Sequence, residues 1–142
     1  MSGNAELLNF IYQNSEMGTN TLKQLIQIVE EKDFIVYLET QLKGYQDVEE
    51  KAKELLNENG CDEKGISTME KIRTYFMINM KTLTDKSASN IVEMMIVGST
   101  MGIIDATRQL NRYKGADKNI RNLMEDLLSF EEKNVEKLKK FL

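Results

Sequence analysis

The amino-acid sequence predicts an all-α protein, an antiparallel four-helix bundle whose long crossover carries an extra short helix. Three observations predict this class. The 142 residues contain no proline and only eight glycines, so few positions interrupt a helix. Apolar residues recur at helical spacing over four long stretches. No run of alternating β-branched residues predicts a strand. The length fits a single domain over residues 1–142.

The first helix is expected over about residues 4–31, with Asn4 as its N-cap. Its apolar stripe has the spacing of one helix face and comprises Leu7, Leu8, Ile11, Leu22, Leu25, Ile26 and Val29. Gly18 lies on this stripe, where the lack of a side chain lets a neighbouring helix approach. Asn14 places a polar group on the same apolar stripe, which makes it a candidate site residue.

The second helix is expected over 33–58, with Asp33 as N-cap and a C-cap signal at Asn59 and Gly60. Its buried face includes two polar side chains, Gln41 and Tyr45. The sequence then breaks over residues 57–65, the clearest interruption in the chain.

A shorter helix follows the break, over about 68–84. Ser67 and Glu70 have the spacing of a capping box, in which each side chain bonds the backbone N–H of the other residue. The long connection that holds this helix joins the second and third long helices.

The third long helix is expected over 88–113, and its middle is apolar nearly all round. A helix of that kind is either central in its domain or buried by a second subunit. Gly98 and Gly102 lie on one side of it and permit close packing, and Asp105 lies on the same side. The last helix is expected over 117–141.

Composition excludes most familiar catalytic sites. The chain has no histidine and one cysteine, so it lacks an imidazole base, a Ser-His-Asp triad and a four-cysteine zinc site. We therefore expect no cofactor and favour a protein that is not an enzyme. The net charge of −4 argues against nucleic-acid binding, which needs clustered basic residues. The start lacks a signal-peptide pattern and no apolar run reaches bilayer length, so a cytoplasmic protein without a membrane span is expected.

Polar residues that face a helical core are the best candidates for a site. Glu131 and Asn134 fall on the line that runs from Leu127 to Leu138 on the last helix, where leucine is expected. The other helices contribute Asn14, Gln41, Tyr45 and Asp105.

Two segments resemble the ferritin-like superfamily, which includes rubrerythrins and bacterioferritins. Residues 127–138 are similar to its last helix, and residues 101–113 are similar to its third, where an acidic residue binds metal. The resemblance implies a four-helix bundle with a di-iron centre, held by a Glu from two helices and a Glu-x-x-His pair from the other two. Asp105 then stands in place of the third-helix Glu.

The remaining positions depart from this pattern. The resemblance puts Asn14 in place of the first Glu, and Tyr45 and Val48 in place of the second-helix pair. Glu131 and Asn134 stand in place of the last Glu-x-x-His. Both histidines are lost and two carboxylates are left, too few for a di-iron oxidase. The resemblance therefore implies a bundle that has kept its scaffold and lost its di-iron site.

Two interpretations of the acidic pair stay open. Asp105 and Glu131 are candidate ligands for one divalent cation such as Mg²⁺, Ca²⁺ or Mn²⁺. The favoured interpretation is a buried polar network, in which Arg108 or Arg112 pairs the acids and Asn14, Tyr45 and Asn134 complete the hydrogen bonds.

Function is predicted as association, with a homodimer as the assembly, because the middle of the third long helix is apolar on all sides. Two alternatives belong to other classes. One is a metal-binding or vestigial oxidoreductase bundle that uses Asp105 and Glu131. The other is a carrier of an apolar small ligand, in space left beside Gly18, Gly98 and Gly102.

Overall fold

The computed structural model describes residues 2–61 and 69–142, and all regular secondary structure within them is helical. This confirms the all-α class. The helices are α1 (Asn4–Ile28), α2 (Lys32–Glu58), α3 (Glu70–Lys81), α4 (Ala88–Arg112) and α5 (Lys118–Leu138), followed by a 3₁₀ turn at Lys139–Phe141. The four long helices correspond to the four predicted stretches, and α3 is the short helix of the crossover.

The long helices pack around one apolar core. The most extensive contacts join α1 to α2 and α4 to α5, while α5 also contacts α1 and α2. Fully buried apolar side chains come from all five helices and include Phe10, Leu25, Phe34, Leu38, Leu56, Ile72, Ile91 and Ile120. Helix α3 packs mainly against α4, where the ring of Phe76 lies over Gly98.

Two predicted N-caps are wrong. Gly3, with φ of 89°, occupies the N-cap of α1, and Asn4 is already helical. The Asn4 Oδ1 accepts a hydrogen bond of 2.8 Å from the backbone N of Asp117, so it caps the start of α5 instead. Helix α2 begins one residue before Asp33, with Glu31 as its cap. Local spacing alone does not show which orphan N–H a capping side chain will satisfy.

The predicted C-cap of α2 is confirmed. Gly60 has φ of 66°, a left-handed conformation that glycine adopts without a Cβ penalty. The Cys61 N–H donates to Leu56 O at 2.8 Å, and the Gly60 N–H donates to Asn57 O at 3.1 Å. These two bonds form a Schellman motif, which satisfies carbonyls that the helix end leaves free.

Other helices end earlier than predicted. Helix α1 ends at Ile28 rather than near 31, because Val29 turns to an extended conformation and lets the chain reverse into α2. Helix α3 ends at Lys81 rather than near 84, and the last predicted turn of α5 tightens into the 3₁₀ turn. Ser67 of the predicted capping box lies outside the described residues.

Within residues 2–61 and 69–142, none of the helices has the combination of length and apolar character that a bilayer crossing requires.

Candidate functional site

A buried carboxylate is the most unusual group in the core. Helix α5 turns one face inward along Leu127, Glu131, Asn134 and Leu138, spaced by four, three and four residues. Glu131 is only 3% exposed and Asn134 only 5%. A buried carboxylate needs hydrogen-bond partners, because isolated burial of a charge is costly.

Two other helices supply those partners. From α1, the Asn14 Nδ2 donates a hydrogen bond of 2.6 Å to Glu131 Oε1. From α2, the Tyr45 hydroxyl donates a hydrogen bond of 3.2 Å to Glu131 Oε2. Each carboxylate oxygen thus accepts one bond from a neutral side chain, and Glu131 links α1, α2 and α5 at the centre of the protein.

A second group of polar side chains lies one turn away. The Tyr37 hydroxyl donates to Asn134 and lies 3.4 Å from its Oδ1, while Gln41 Nε2 donates to the Tyr37 oxygen at 2.7 Å. The Nδ2 atom of Asn134 is buried and forms no hydrogen bond of ordinary geometry within the described structure. Asn134 nevertheless interacts with the Tyr45 side chain and lowers the pKa of its hydroxyl, so the two groups of polar side chains are neighbours.

Glycines make room for this network. An added Cβ at Gly102 would lie 3.4 Å from Glu131 Oε2 and 3.5 Å from Asn14 Oδ1, so α4 approaches the carboxylate with bare backbone. An added Cβ at Gly18 would lie 2.8 Å from the Tyr45 ring. The positions predicted to leave space are thus occupied by neighbouring side chains, as Gly98 is by Phe76.

Burial sets the protonation of the site. Desolvation raises the pKa of Glu131 from 4.5 to about 7, and the hydrogen bonds from Asn14 and Tyr45 lower it in part. Burial also raises the pKa of Tyr45 well above its usual value, and the charge of Glu131 adds to that rise. Near neutral pH, Glu131 therefore exchanges between its neutral and ionised forms, while Tyr45 keeps its proton.

Asp105 lies in a different environment from Glu131. Its side chain is 29% exposed and forms an ion pair of 3.6 Å with Arg108 one turn further along α4. Asn14 and Tyr45 bind Glu131 directly. Asn134 accepts a hydrogen bond from Tyr37 and also interacts with Tyr45, whereas Asp105 pairs with Arg108. The predicted divalent-cation site at Asp105 and Glu131 stays a prediction.

The donor set does not fit a di-iron centre. Among residues 2–61 and 69–142, no group of three or more His, Cys, Asp or Glu side chains is placed to hold a metal ion. The groups around Glu131 are an amide and a phenol that keeps its proton, so neither carries a charge to balance two cations. The site can instead form hydrogen bonds and bind a proton at Glu131.

A second candidate surface is the outer face of α4. Residues 94–104 contain no charged side chain, yet Val97 is 42% exposed and Ile104 is 46% exposed. Ile96, Met101 and Ile103 are partly exposed as well. The helix that is apolar all round is therefore not covered on its outer side by the other described residues.

Sequence reasoning missed Tyr37 as a member of the network. Its signal is the spacing of Tyr37, Gln41 and Tyr45, which are four residues apart and so lie on one face of α2. The contact of Gly102 with the Glu131 carboxylate was also missed, because glycine on a helix face predicts close packing without showing what packs there.

The fold and these two features define a helical protein with an acid in its core and an uncharged outer helix face. No protein-family model matches the chain, and no curated protein or solved structure is significantly similar to it.

Replacing Gly18 with alanine is expected to lower the free energy of unfolding by about 1–3 kcal/mol, the usual cost of overpacking. The new methyl group meets the Tyr45 ring, which is held on two other sides. Its hydroxyl binds Glu131, and its ring packs edge-to-face with Phe130, with the ring centroids 5.0 Å apart. Urea unfolding measures the loss. Gly115→Ala, in the turn between α4 and α5, is the control, since a Cβ there meets only Ser2 O at 3.9 Å. Equal stability of the two variants would contradict the tight packing of Tyr45.

Proposed function

We propose that this protein is a non-catalytic helical bundle that works by association with a second copy of itself. The outer face of α4 carries the proposal, because it exposes Val97 and Ile104 on a stretch without charge. Exposed apolar patches of this kind are typical of interaction sites. The ferritin-like resemblance and the antiparallel order of the four long helices belong to the same proposal.

Charge does not oppose a second copy at this face. The chain carries a net charge of −4, so two copies repel each other unless their contact avoids acidic surface. The outer face of α4 meets that condition over residues 94–104. A partner recognised by charge would need complementary groups that this stretch does not offer.

The sequence of α4 also suits a twofold arrangement. Two α4 helices packed antiparallel about an axis between residues 100 and 101 set Val97 against Ile104 of the second copy. The same register sets Glu93 against Arg108 of the second copy, because each charged residue lies four positions outside its apolar neighbour. Both charged side chains are exposed, and Arg108 also pairs with Asp105 of its own helix at 3.6 Å. The interface then has an apolar centre and two opposite-charge pairs at its ends.

Charge reversal tests this register. We expect the wild type to sediment as a dimer at protein concentrations of tens of micromolar. Glu93→Arg places two arginines opposite each other at both ends and is expected to weaken dimerisation at least about tenfold. The double variant Glu93→Arg with Arg108→Glu restores opposite charges and is expected to recover wild-type affinity within about threefold.

The control is Glu39→Arg, which makes the same change of charge at an exposed position of α2. It is expected to leave the sedimentation profile unchanged. A wild type that stays monomeric throughout this concentration range would overturn the proposed function. Weakening by Glu93→Arg without rescue by the double variant would refute the register while leaving α4 as the interface.

A further inference from the structure

A small cavity adjoins the carboxylate of Glu131. Its volume is about 30 Å³, which is room for one water-sized particle. The polar part of its lining carries oxygen atoms and consists of Asn14, Thr21, Gln41, Tyr45, Ser99 and Glu131. Among residues 2–61 and 69–142, no lysine or arginine lines it. The cavity is thus a water-sized space with one acidic group and several neutral oxygen ligands.

The side chains of Asn14 and Glu131 both line this cavity. Since Asn14 uses its Nδ2 to bind Glu131 Oε1, its Oδ1 is left to accept or coordinate. A Cβ added at Gly102 would lie 3.5 Å from that Oδ1 and 3.4 Å from Glu131 Oε2, so both oxygen atoms lie near the backbone of α4, although Gly102 is not among the residues that line the cavity.

Charge balance selects the kind of ligand. Both hydrogen bonds to Glu131 come from neutral groups, so its negative charge has no opposite charge among the residues that line the cavity. A buried charge without a counter-charge is costly. A monovalent cation cancels that charge, whereas a divalent cation leaves one positive charge in the apolar core.

A groove lies beneath α3, next to the cavity. It has a volume of about 600 Å³, runs between α1 and α3, and shares Met17, Thr21 and Phe76 with the cavity. The half-buried ring of Phe76, which lies over Gly98, thus lines both spaces. Arg73 and Lys81 also line the groove.

We propose that the cavity beside Glu131 binds a monovalent cation of about the size of a water molecule, such as K⁺ or NH₄⁺. The carboxylate of Glu131 supplies the charge, and the Asn14 carbonyl and the cavity hydroxyls supply neutral oxygen ligands of the kind that K⁺ accepts. This proposal does not rest on the proposed dimer, although Met95, Gly98 and Ser99 of α4 line the cavity.

Stability in different chloride salts tests the proposal. Urea unfolding is measured at about pH 8.5, where Glu131 is ionised, in KCl, NH₄Cl, MgCl₂ or choline chloride of equal ionic strength. Choline is too large for the cavity. We expect a saturable rise in stability with K⁺ and NH₄⁺, reaching about a tenfold larger folded-to-unfolded ratio than in choline. The stability of Glu131→Gln is expected to be equal in all the monovalent salts. The control is Glu132→Gln, which removes the same charge from the exposed neighbouring residue and is expected to behave like the wild type.

A direct measurement avoids reliance on the stability of a variant. In amide NMR spectra of the wild-type chain, K⁺ is expected to shift the Asn14 side-chain signal and the Gly102 backbone signal saturably, whereas choline is not. An equal response to K⁺ and choline, or a K⁺ effect that persists in Glu131→Gln, would overturn the proposal. Tighter binding of Mg²⁺ than of K⁺ would also overturn it, in favour of the divalent-cation site predicted at Asp105 and Glu131.

Discussion

Raising the pH from about 5 to about 8.5 is expected to lower the free energy of unfolding of the wild type by about 3 kcal/mol more than that of Glu131→Gln. The pKa of Glu131 is about 7 in the folded chain against 4.5 as its ordinary value. Between these values the folded chain binds the proton more tightly than the unfolded chain does. The stability that Glu131 supports is therefore present in full below this window and lost as the pH rises through it.

The Glu131→Gln variant isolates this effect. A glutamine side chain has the shape of the protonated acid and does not titrate, so the variant is expected to match the wild type within about 1 kcal/mol at low pH and to exceed it at high pH. Burial also raises the pKa of Glu49, but both chains carry that group, so its contribution cancels in the comparison. Urea unfolding in choline chloride keeps small cations out of the cavity. Parallel pH profiles for the two chains would contradict a buried, titrating Glu131.

The second large effect is expected for Asn14→Asp, with a loss of about 3–5 kcal/mol at about pH 8.5. Asn14 donates to Glu131 over 2.6 Å, so the substitution replaces a donor with a second carboxylate at the same distance. Two buried carboxylates this close cannot both ionise. At about pH 5 the loss is expected to be much smaller, because one proton then bridges the pair.

A reciprocal change tests whether the two residues act on each other. Adding Glu131→Gln to Asn14→Asp restores one acid and one amide, with the acid now on α1 and the amide on α5. This double variant is expected to recover most of the lost stability at high pH. Asn20→Asp, an exposed change on the same helix, is the control and is expected to cost less than about 0.5 kcal/mol. A loss for Asn14→Asp that is independent of pH, or is not rescued, would show that the pair is not coupled in the core.

Much of the fold was predictable because it depends on local pattern. The spacing of apolar residues identified the four long helices and the short crossover helix, since a buried helix face must repeat about every 3.6 residues. The end of α2 followed from Gly60, whose left-handed conformation few other residues adopt. The inward positions of Glu131 and Asn134 followed from the same periodicity on α5.

The tertiary partners and the depth of burial of individual side chains could not be predicted from local pattern. Asn4 has the chemistry of an N-cap, but its partner is the N–H of Asp117, more than 100 residues away. Asp105 lies on the predicted side of α4, yet it stays partly exposed and pairs with Arg108. An angle on a helical wheel shows the direction of a side chain, while its depth depends on where the neighbouring helices end and how closely they approach.

The sequence by itself determined that this chain is helical, where its helices lie and which polar residues interrupt their apolar faces. Only the tertiary structure decided which of those residues meet. Asn14 and Glu131 are 117 positions apart, and their hydrogen bond depends on the relative placement of α1 and α5 to within a few tenths of an ångström. Periodicity acts along one helix and carries no information about that placement. The raised pKa of Glu131 depends on it too, because desolvation requires several helices to close around the carboxylate.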